Sequence, residues 1–595
     1  MSYGDPSKLK RKIILLLLAG IAILFIQFYY YHFLLMLGGF GLIVYAFFSI
    51  KSADGEEYRK EDAKPLLYYP IGIALASGIG AFFIKENILF CIFSMVGVIG
   101  LYAIIYGKVL LNFVGYKVYR GFYAFIAGFI FFAMGAGLAV LSLYYLPADQ
   151  KESISINYWI TTGNKSSLLE AQQNFTFGET EAGGSVVIVD TTQQFQSIDG
   201  FGYALTGGSA MLMNTKLTAT QRSELLKELF LTEENGIGLS YLRVSIGASD
   251  LDEFVFSYDD LKKGQTDLTL SNFNLSYDTL HLIPVLKEIL ALNPNIKIMG
   301  SPWSPPVWMK TNNLPKGGSL KPEYYEAYSN YFVKYIKAMA AEGITIDAIT
   351  LQNEPENPKN TPSLEMTAEE QALFVKKHLG PVFKANNIQT KIIVFDHNCD
   401  HPEYPIAILN DAEAKQYIDG SAFHMYLGEI DALSKLHNAH PDKNIYFTEQ
   451  WTSGKGEFGG DLNWHTKNLI IGATRNWSRN VLEWNLAADP NFNPHTGDGG
   501  CDICQGALTI GDGSVTRNVS YYIIAHASKF VPDGSVRIGS NLIEGLPNVA
   551  FLTPQGKKVL IVLNETEEPK SFSIQFNGKT ANANLTGGAV GTFVW

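Results

Sequence analysis

The spacing of apolar positions changes twice along the chain, and each regime predicts a different kind of structure. Between Ile13 and Leu146 they run almost unbroken in five stretches: Ile13–Tyr31, Phe33–Ile50, Leu66–Ile84, Ile88–Tyr106 and Phe122–Leu146. Each is near the ~20 residues that cross a hydrocarbon layer, which predicts five transmembrane helices. From Ile154 the pattern alternates, as in a half-buried strand, and Ser185 to Asp190 repeats the signal after a Gly-Gly turn. The C-terminal runs Val549–Thr553, Lys558–Asn564 and Phe572–Phe576 have the same character. Neither end has enough strands to bury a core alone, so the two are expected to combine into one β-sandwich.

Between Ile198 and about Val531, strand-like and helix-like spacing alternate. The candidate strands are Ile198–Leu205, Leu239–Ile246, Ile296–Trp303, Ile346–Glu354, Lys391–His397, Gly420–Tyr426, Asn444–Glu449 and Val481–Ala487. The clearest helix is Pro322–Met339, with Tyr325, Tyr328, Phe332, Tyr335 and Met339 at three- and four-residue spacing and Pro322 in the first turn. Eight strands with crossover helices over roughly 330 residues predict an α/β fold, a (β/α)8 TIM barrel with its site at the strand C-terminal ends. The expected organisation is a transmembrane region at 1–147, sandwich strands at 148–195, the catalytic barrel at 196–531 and further sandwich strands at 532–595.

Charge orients the membrane region. Lys8, Lys10, Arg11 and Lys12 precede the first span, Lys51, Arg59, Lys60 and Lys64 follow the second, and Lys108, Lys117 and Arg120 follow the fourth. The positive-inside rule then makes the N-terminus cytoplasmic and everything after Leu146 extracytoplasmic, in the periplasm or outside the cell. No span contains Asp, Glu, Lys or Arg, which favours an anchoring bundle over an ion path. Ala74 with Gly78 and Ala133 with Gly137 supply the small-residue spacing that helix packing in lipid uses. The net charge of −11 argues against a nucleic-acid partner, and no phosphate-binding loop, dinucleotide fingerprint or His-Glu-x-x-His motif is present.

The chemistry gathers at the strand ends. Pro355 biases Glu354 toward an extended conformation at the tip of the fourth strand, and Glu449 closes the seventh. Two such carboxyls facing one site are what glycosidic bond cleavage needs. In that chemistry Glu449 is expected ionised, and Glu354 protonated with its pKa raised by burial and by Glu449. Arg243, Asp250, Trp303, Asn353, Asp396, His397, His424, Tyr426, Trp484 and Asn485 also lie at strand ends, where rings can stack on a pyranose and polar groups can meet its hydroxyls. The cluster His397, Cys399 and His401 imitates a metal site, but no second half accompanies it, so neither metal nor cofactor is expected. Cys501 and Cys504, in an oxidising compartment and without a second Cys-x-x-Cys, are expected to form a local disulfide.

The segment from Gly300 to Asn312, then Gln352-Asn353-Glu354-Pro355, Phe447 to Trp451, Glu483 to Ala487 and His526 to Phe530, resembles glycoside hydrolase family 30, the glucosylceramidase family. The resemblance runs from about residue 154 to 595. It implies a barrel fused to a side β-sandwich and retaining hydrolysis of β-linked sugars, with Glu354 as acid/base and Glu449 as nucleophile. It also implies a sugar subsite of Arg243, Asp250, Trp303, Asn353, Tyr426 and Trp484. Two positions depart from the glucosylceramidase pattern: Gly207 stands where an Asp is usual, and Val481-Leu482-Glu483-Trp484 replaces Trp-Thr-Asp-Trp. In this the chain is similar to bacterial members, some of which cut β-1,6-glucan. The expected substrate is thus a β-glucoside, glycolipid or glucan, cleaved by a glucosylceramidase-like β-glucosidase or an endo-β-1,6-glucanase. The alternatives are a membrane-anchored carbohydrate-binding protein without turnover, or a retaining β-glycosidase for another sugar such as a xylan or a β-fucoside.

Overall fold

The computed structural model describes residues 154–179 and 183–595. The five expected spans, and the topology and localisation that rest on them, fall outside the described residues; among the described residues no helix is long and apolar enough to cross a membrane.

Eight parallel strands close into a barrel: β1 Gly200–Ala204, β2 Tyr241–Ser245, β3 Lys297–Ser301, β4 Ala348–Thr350, β5 Lys391–Cys399, β6 Ile418–Gly428, β7 Asn444–Glu449 and β8 Ser478–Asn485. Each follows a strand predicted from the sequence. The largest difference is β4, which stops at Thr350, so Leu351 to Glu354 lie beyond its paired end. Tyr241, Met299, Ala348, Ile393, Ala422, Tyr446 and Leu482, one from each of β2 to β8, form a packed ring inside the barrel. β1 contributes Gly202 instead, because a Cβ there would stand 1.8 Å from the carbonyl oxygen of Tyr241 on the neighbouring strand. Helices pack the outside. The one after β3 opens with a 3₁₀ turn at Pro322–Tyr324 and continues as Tyr325–Ala341, burying Tyr325, Tyr328, Phe332, Tyr335 and Met339.

The two ends of the described chain meet in a ten-stranded sheet system. Ser155–Thr161 pairs antiparallel with Val590–Val594, while Ser185–Ser197 lies between Val536–Ser540 and Lys570–Phe576. Alternation along Lys558–Leu563 shows how it joins the barrel. Leu560 and Val562 point into the sandwich core, and Val559, Ile561 and Leu563 join the barrel's outer core.

His526, on the helix after β8, ties the two parts together. Its Nδ1 lies 2.8 Å from Thr592 Oγ1 and its Nε2 lies 2.8 Å from Thr161 Oγ1. Thr592 gives its own hydroxyl proton to the His526 carbonyl, so Nδ1 donates to Thr592 and Nε2 accepts from Thr161. Burial lowers the imidazole pKa to about 3, and a second ring proton would oppose the Thr161 hydroxyl. The folded state thus disfavours a proton that the unfolded chain takes up near 6.5. This stabilisation is complete above pH 6.5 and is lost progressively as pH falls toward 3. His526→Gln is expected to melt lower than the parent at pH 7.5 but to lose less melting temperature between pH 7.5 and 4.5. Parallel declines would remove His526 from the acid sensitivity.

Candidate active site

Side chains two residues apart on a strand point the same way. One step above the apolar ring, toward the strand C-terminal ends, the inward positions are therefore Arg243, Ser301, Thr350, His424, Thr448 and Trp484. On β5 the corresponding step from Ile393 would present Phe395, which instead packs in the outer core. Positive φ at Phe395 (74°) and Asp396 (65°), with a register shift against β6, turns the Asp396 carboxylate inward in its place. Asp396 is fully buried and accepts from five donors. Its Oδ2 receives Arg243 Nη2 at 2.8 Å, Ser301 Oγ at 2.8 Å and Thr350 Oγ1 at 2.7 Å; its Oδ1 receives His424 Nε2 at 3.0 Å and Thr448 Oγ1 at 2.7 Å. Burial works against the ionised form, but Arg243, His424 and these bonds hold the carboxyl far below its ordinary range.

The two predicted glutamates stand on this platform. Glu449 takes a hydrogen bond from Tyr426 Oη at 2.8 Å on Oε1 and from Arg243 Nη1 on Oε2. Arg243 also holds Asn353 Oδ1 at 2.6 Å, so one guanidinium on β2 aligns residues from β3, β5, β7 and the segment after β4. Glu354 accepts from Asn357 Nδ2 at 2.7 Å and Asn360 Nδ2 at 3.1 Å. His424 Nδ1 lies 3.4 Å from Glu354 Oε1 and 3.8 Å from Glu449 Oε1. Sharing one nitrogen, those two oxygens are at most roughly 7 Å apart, a bound compatible with the ~5–5.5 Å separation of retaining enzymes.

Two expectations for Glu354 need correction. Its φ is +46°, in the left-handed region rather than extended. Pro355 disfavours right-handed helix there, and a bond from the Glu354 N–H to the Asp396 carbonyl, with the return bond from Asn357 N to the Glu354 carbonyl, fixes the alternative turn. Its pKa is lowered, not raised: burial pushes it up, but the hydrogen bond and charge of His424, with His397 and Asn357, outweigh that. It is Glu449 whose pKa is raised, by burial first and by Glu354, against the pull of His424 and Arg243. His424, facing Glu449, Asp396 and Glu354, keeps its proton up to about pH 9 despite burial.

The other predicted residues also converge here. Asp250 is buried in the loop after β2, and burial with the charges of Glu449 and Glu354 lifts its pKa to about 8, so it is neutral and able to donate at pH 7. Trp303 and Trp484 are 2% and 3% exposed; they stack on each other at 5.2 Å and on the Arg243 guanidinium instead of baring a face to solvent. Trp303 Nε1 has no hydrogen-bond partner among the described residues. Cys501 and Cys504 are disulfide-bonded, and Cys504 packs with Trp303 and Trp484. A Cβ at Gly207 would meet Asp252 Oδ1 at 1.8 Å, so a second acidic side chain fills the space beside this departure from the glucosylceramidase pattern.

Sequence reasoning missed the network centre and the support of Glu354. Asp396 was legible only as one strand-end residue among several. Asn357 and Asn360, three and six residues after Glu354, were the available signal for a turn folding back on its carboxylate. Glu354, His397 and His424 are close enough to hold a metal ion. His424 directs both of its ring nitrogens at carboxylates, Glu354 and Asp396.

A (β/α)8 barrel carrying two buried carboxyls at its mouth, both facing one His, with Arg and Tyr holding one of them, has the constellation of a glycoside hydrolase. The comparisons agree. Residues 198–531 match the glycosyl hydrolase family 30 TIM-barrel domain and residues 534–593 match the family 30 beta sandwich domain. An endo-1,6-β-D-glucanase of Aspergillus fumigatus is 33% identical over 462 residues, covering 73% of this chain and 92% of the relative. The lysosomal acid glucosylceramidase of Mus musculus is 29% identical over 420 residues, covering 66% of this chain and 79% of the relative. A solved endo-β1,6-glucanase is 34% identical with a TM-score of 0.70, covering 74% of this chain and 99% of that one. The chain belongs to glycosyl hydrolase family 30, and it is a retaining glycosidase of β-linked sugars.

Replacing Arg243 with Lys keeps the buried charge but loses the planar fork that reaches Glu449, Asp396, Ser301 and Asn353 together. Arg243→Lys is expected to lower kcat/KM by about 100-fold or more with near-UV circular dichroism unchanged, since misplaced catalytic groups alone cost that much. Activity within threefold of the parent would mean the fork does not set the geometry.

Proposed function

We propose that the protein is an endo-acting β-1,6-glucanase working by double displacement, with Glu449 as nucleophile and Glu354 as acid/base. The observation carrying this reading is the approach of both carboxyls to one imidazole nitrogen, His424 Nδ1. Tyr426 and Arg243 hold Glu449 so that an oxygen can attack the anomeric carbon as the bond to the leaving oxygen breaks. Glu354 delivers the proton to that oxygen. In the free site the proton rests on His424, and transfer across the 3.4 Å contact converts the imidazolium–carboxylate pair into imidazole and carboxylic acid. Glycosylation of Glu449 removes its charge; Glu354 then takes a proton from water, and Glu449 leaves as the C–O bond to water forms. Arg243, Asp250, Trp303, Asn353, His424, Tyr426 and Trp484 line the sugar subsite, where neutral Asp250 and the unpartnered Trp303 Nε1 supply donors to hydroxyls.

The β-1,6 linkage and internal cleavage are carried over from the glucanases to which the chain is similar. Membrane anchoring through residues 13–146, with the catalytic region outside, rests on the apolar stretches and the placement of Lys and Arg. The Cys501–Cys504 disulfide suits that oxidising side.

Incubation with β-1,6-glucan and, separately, glucosylceramide tests the assignment. Mixed-length β-1,6-linked oligosaccharides should accumulate early from the polymer while the glycolipid stays intact. Ceramide release with the polymer untouched would overturn it.

A further inference from the structure

Away from the barrel mouth, the helix that follows β7 and the loops of the sandwich enclose a cleft of about 810 Å³, within the ~300–1,000 Å³ of small-molecule sites. None of its lining residues belongs to the network around Glu354 and Glu449. Its platform is Trp464, 38% exposed, on helix Phe458–His465. Gly460 stands one turn before Trp464 on the same face of this helix. Glycine weakens a helix, and packing does not require one here: a Cβ at Gly460 would meet only Glu457 Cβ, at 3.9 Å. The space over this turn is therefore open.

The floor is bare backbone for a different reason. Gly163 and Gly459 cross so closely that a Cβ on Gly163 would lie 3.1 Å from the Gly459 Cα. On the polar side, Lys467 Nζ pairs with Glu565 Oε2 at 2.5 Å, joining the helix to a sandwich loop, and Asn468 stands one turn beyond Trp464. A flat aromatic face, a backbone floor and a rim of charged and amide groups match a pyranose, which has C–H bonds on its faces and hydroxyls around its edge. The cleft lies on the β7 side of the barrel. Ten residues separate Glu449 from Gly459, so their Cα atoms are no more than about 36 Å apart even along an extended chain.

We propose that this cleft is a second carbohydrate-binding site, gripping glucose units of the same β-glucan whose other units occupy the catalytic mouth. The idea rests on the glucanase reading. Two attachment points on one polymer raise the local concentration of scissile bonds at the mouth, a gain that grows with the number of glucose units beyond those the mouth holds.

Trp464→Ala removes the platform, and Gly460→Leu fills the open space of the preceding turn while favouring the helix, so the two variants act on the cleft with opposite effects on helix propensity. In the full-length protein both variants should raise KM for long β-1,6-glucan about tenfold and leave kcat/KM for a β-1,6-linked glucose tetramer unchanged. Parental KM on the polymer in either variant, or equal losses on polymer and tetramer, would overturn the proposal. Affinity electrophoresis through gels containing β-1,6-, β-1,3- or β-1,4-glucan separates this from failure of the glucanase assignment. If the protein does not hydrolyse β-1,6-glucan, retardation by any of these polymers that Trp464→Ala abolishes still supports the cleft. Equal mobility of parent and variant in all three refutes it.

Discussion

Asp396 and Arg243 form an ion pair at 2.8 Å with neither side chain exposed, and the barrel mouth is built on it. Taking both charges out of water is costly, and such a pair is tolerable only when its remaining hydrogen-bonding capacity is met. Here it nearly is. Asp396 accepts from β2, β3, β4, β6 and β7, while Arg243 reaches Glu449 and Asn353 on its other edges. The pair yields alignment: residues distant in sequence are referred to one carboxylate and one guanidinium. Loss of Arg243 would leave His424 as the remaining cation beside Asp396, and loss of Asp396 would leave Arg243 paired with Glu449 alone.

The same electrostatics sort the two catalytic candidates. Glu354, next to protonated His424, is held below its ordinary pKa, while Glu449 is raised by burial despite Arg243. The free site therefore stores its proton on the imidazole and not on the expected carboxyl. This ordering belongs to the empty mouth; a sugar between the glutamates excludes water and changes which form each prefers. With Asp250 also neutral at pH 7, the mouth combines fixed charges with donors, as a substrate bearing many hydroxyls and no charge requires.

Much of this was legible because strand periodicity and chemistry coincide. Once eight strands were counted, Glu449, Arg243, His424 and Tyr426 fell at their C-terminal ends, and the helix stripe from Tyr325 to Met339 read as core. What could not be read were the places where the backbone leaves its regular course. Period-two spacing on β5 points Phe395 inward, and only the positive φ at Phe395 and Asp396 reverses it. Glu354 likewise sits in a left-handed turn stabilised by Asp396, a partner 42 residues away. The direction of its pKa shift depended on His424, brought near from β6, and no local sequence signal carries that. The stacking of Trp303 on Trp484 was hidden for the same reason, since it joins β3 and β8 across the mouth.

The central claim is that the geometry around Arg243, Asp396 and His424 makes Glu449 the nucleophile. Reaction with a 2-deoxy-2-fluoro-β-glucosyl fluoride tests it directly, because the 2-fluorine slows both formation and release of the glycosyl-enzyme while the anomeric fluoride, a good leaving group, restores its formation. Peptide mass spectrometry should then find one fluoroglucosyl group, on Glu449. A label on Glu354, or turnover of the reagent with an inverted first product, would contradict the account.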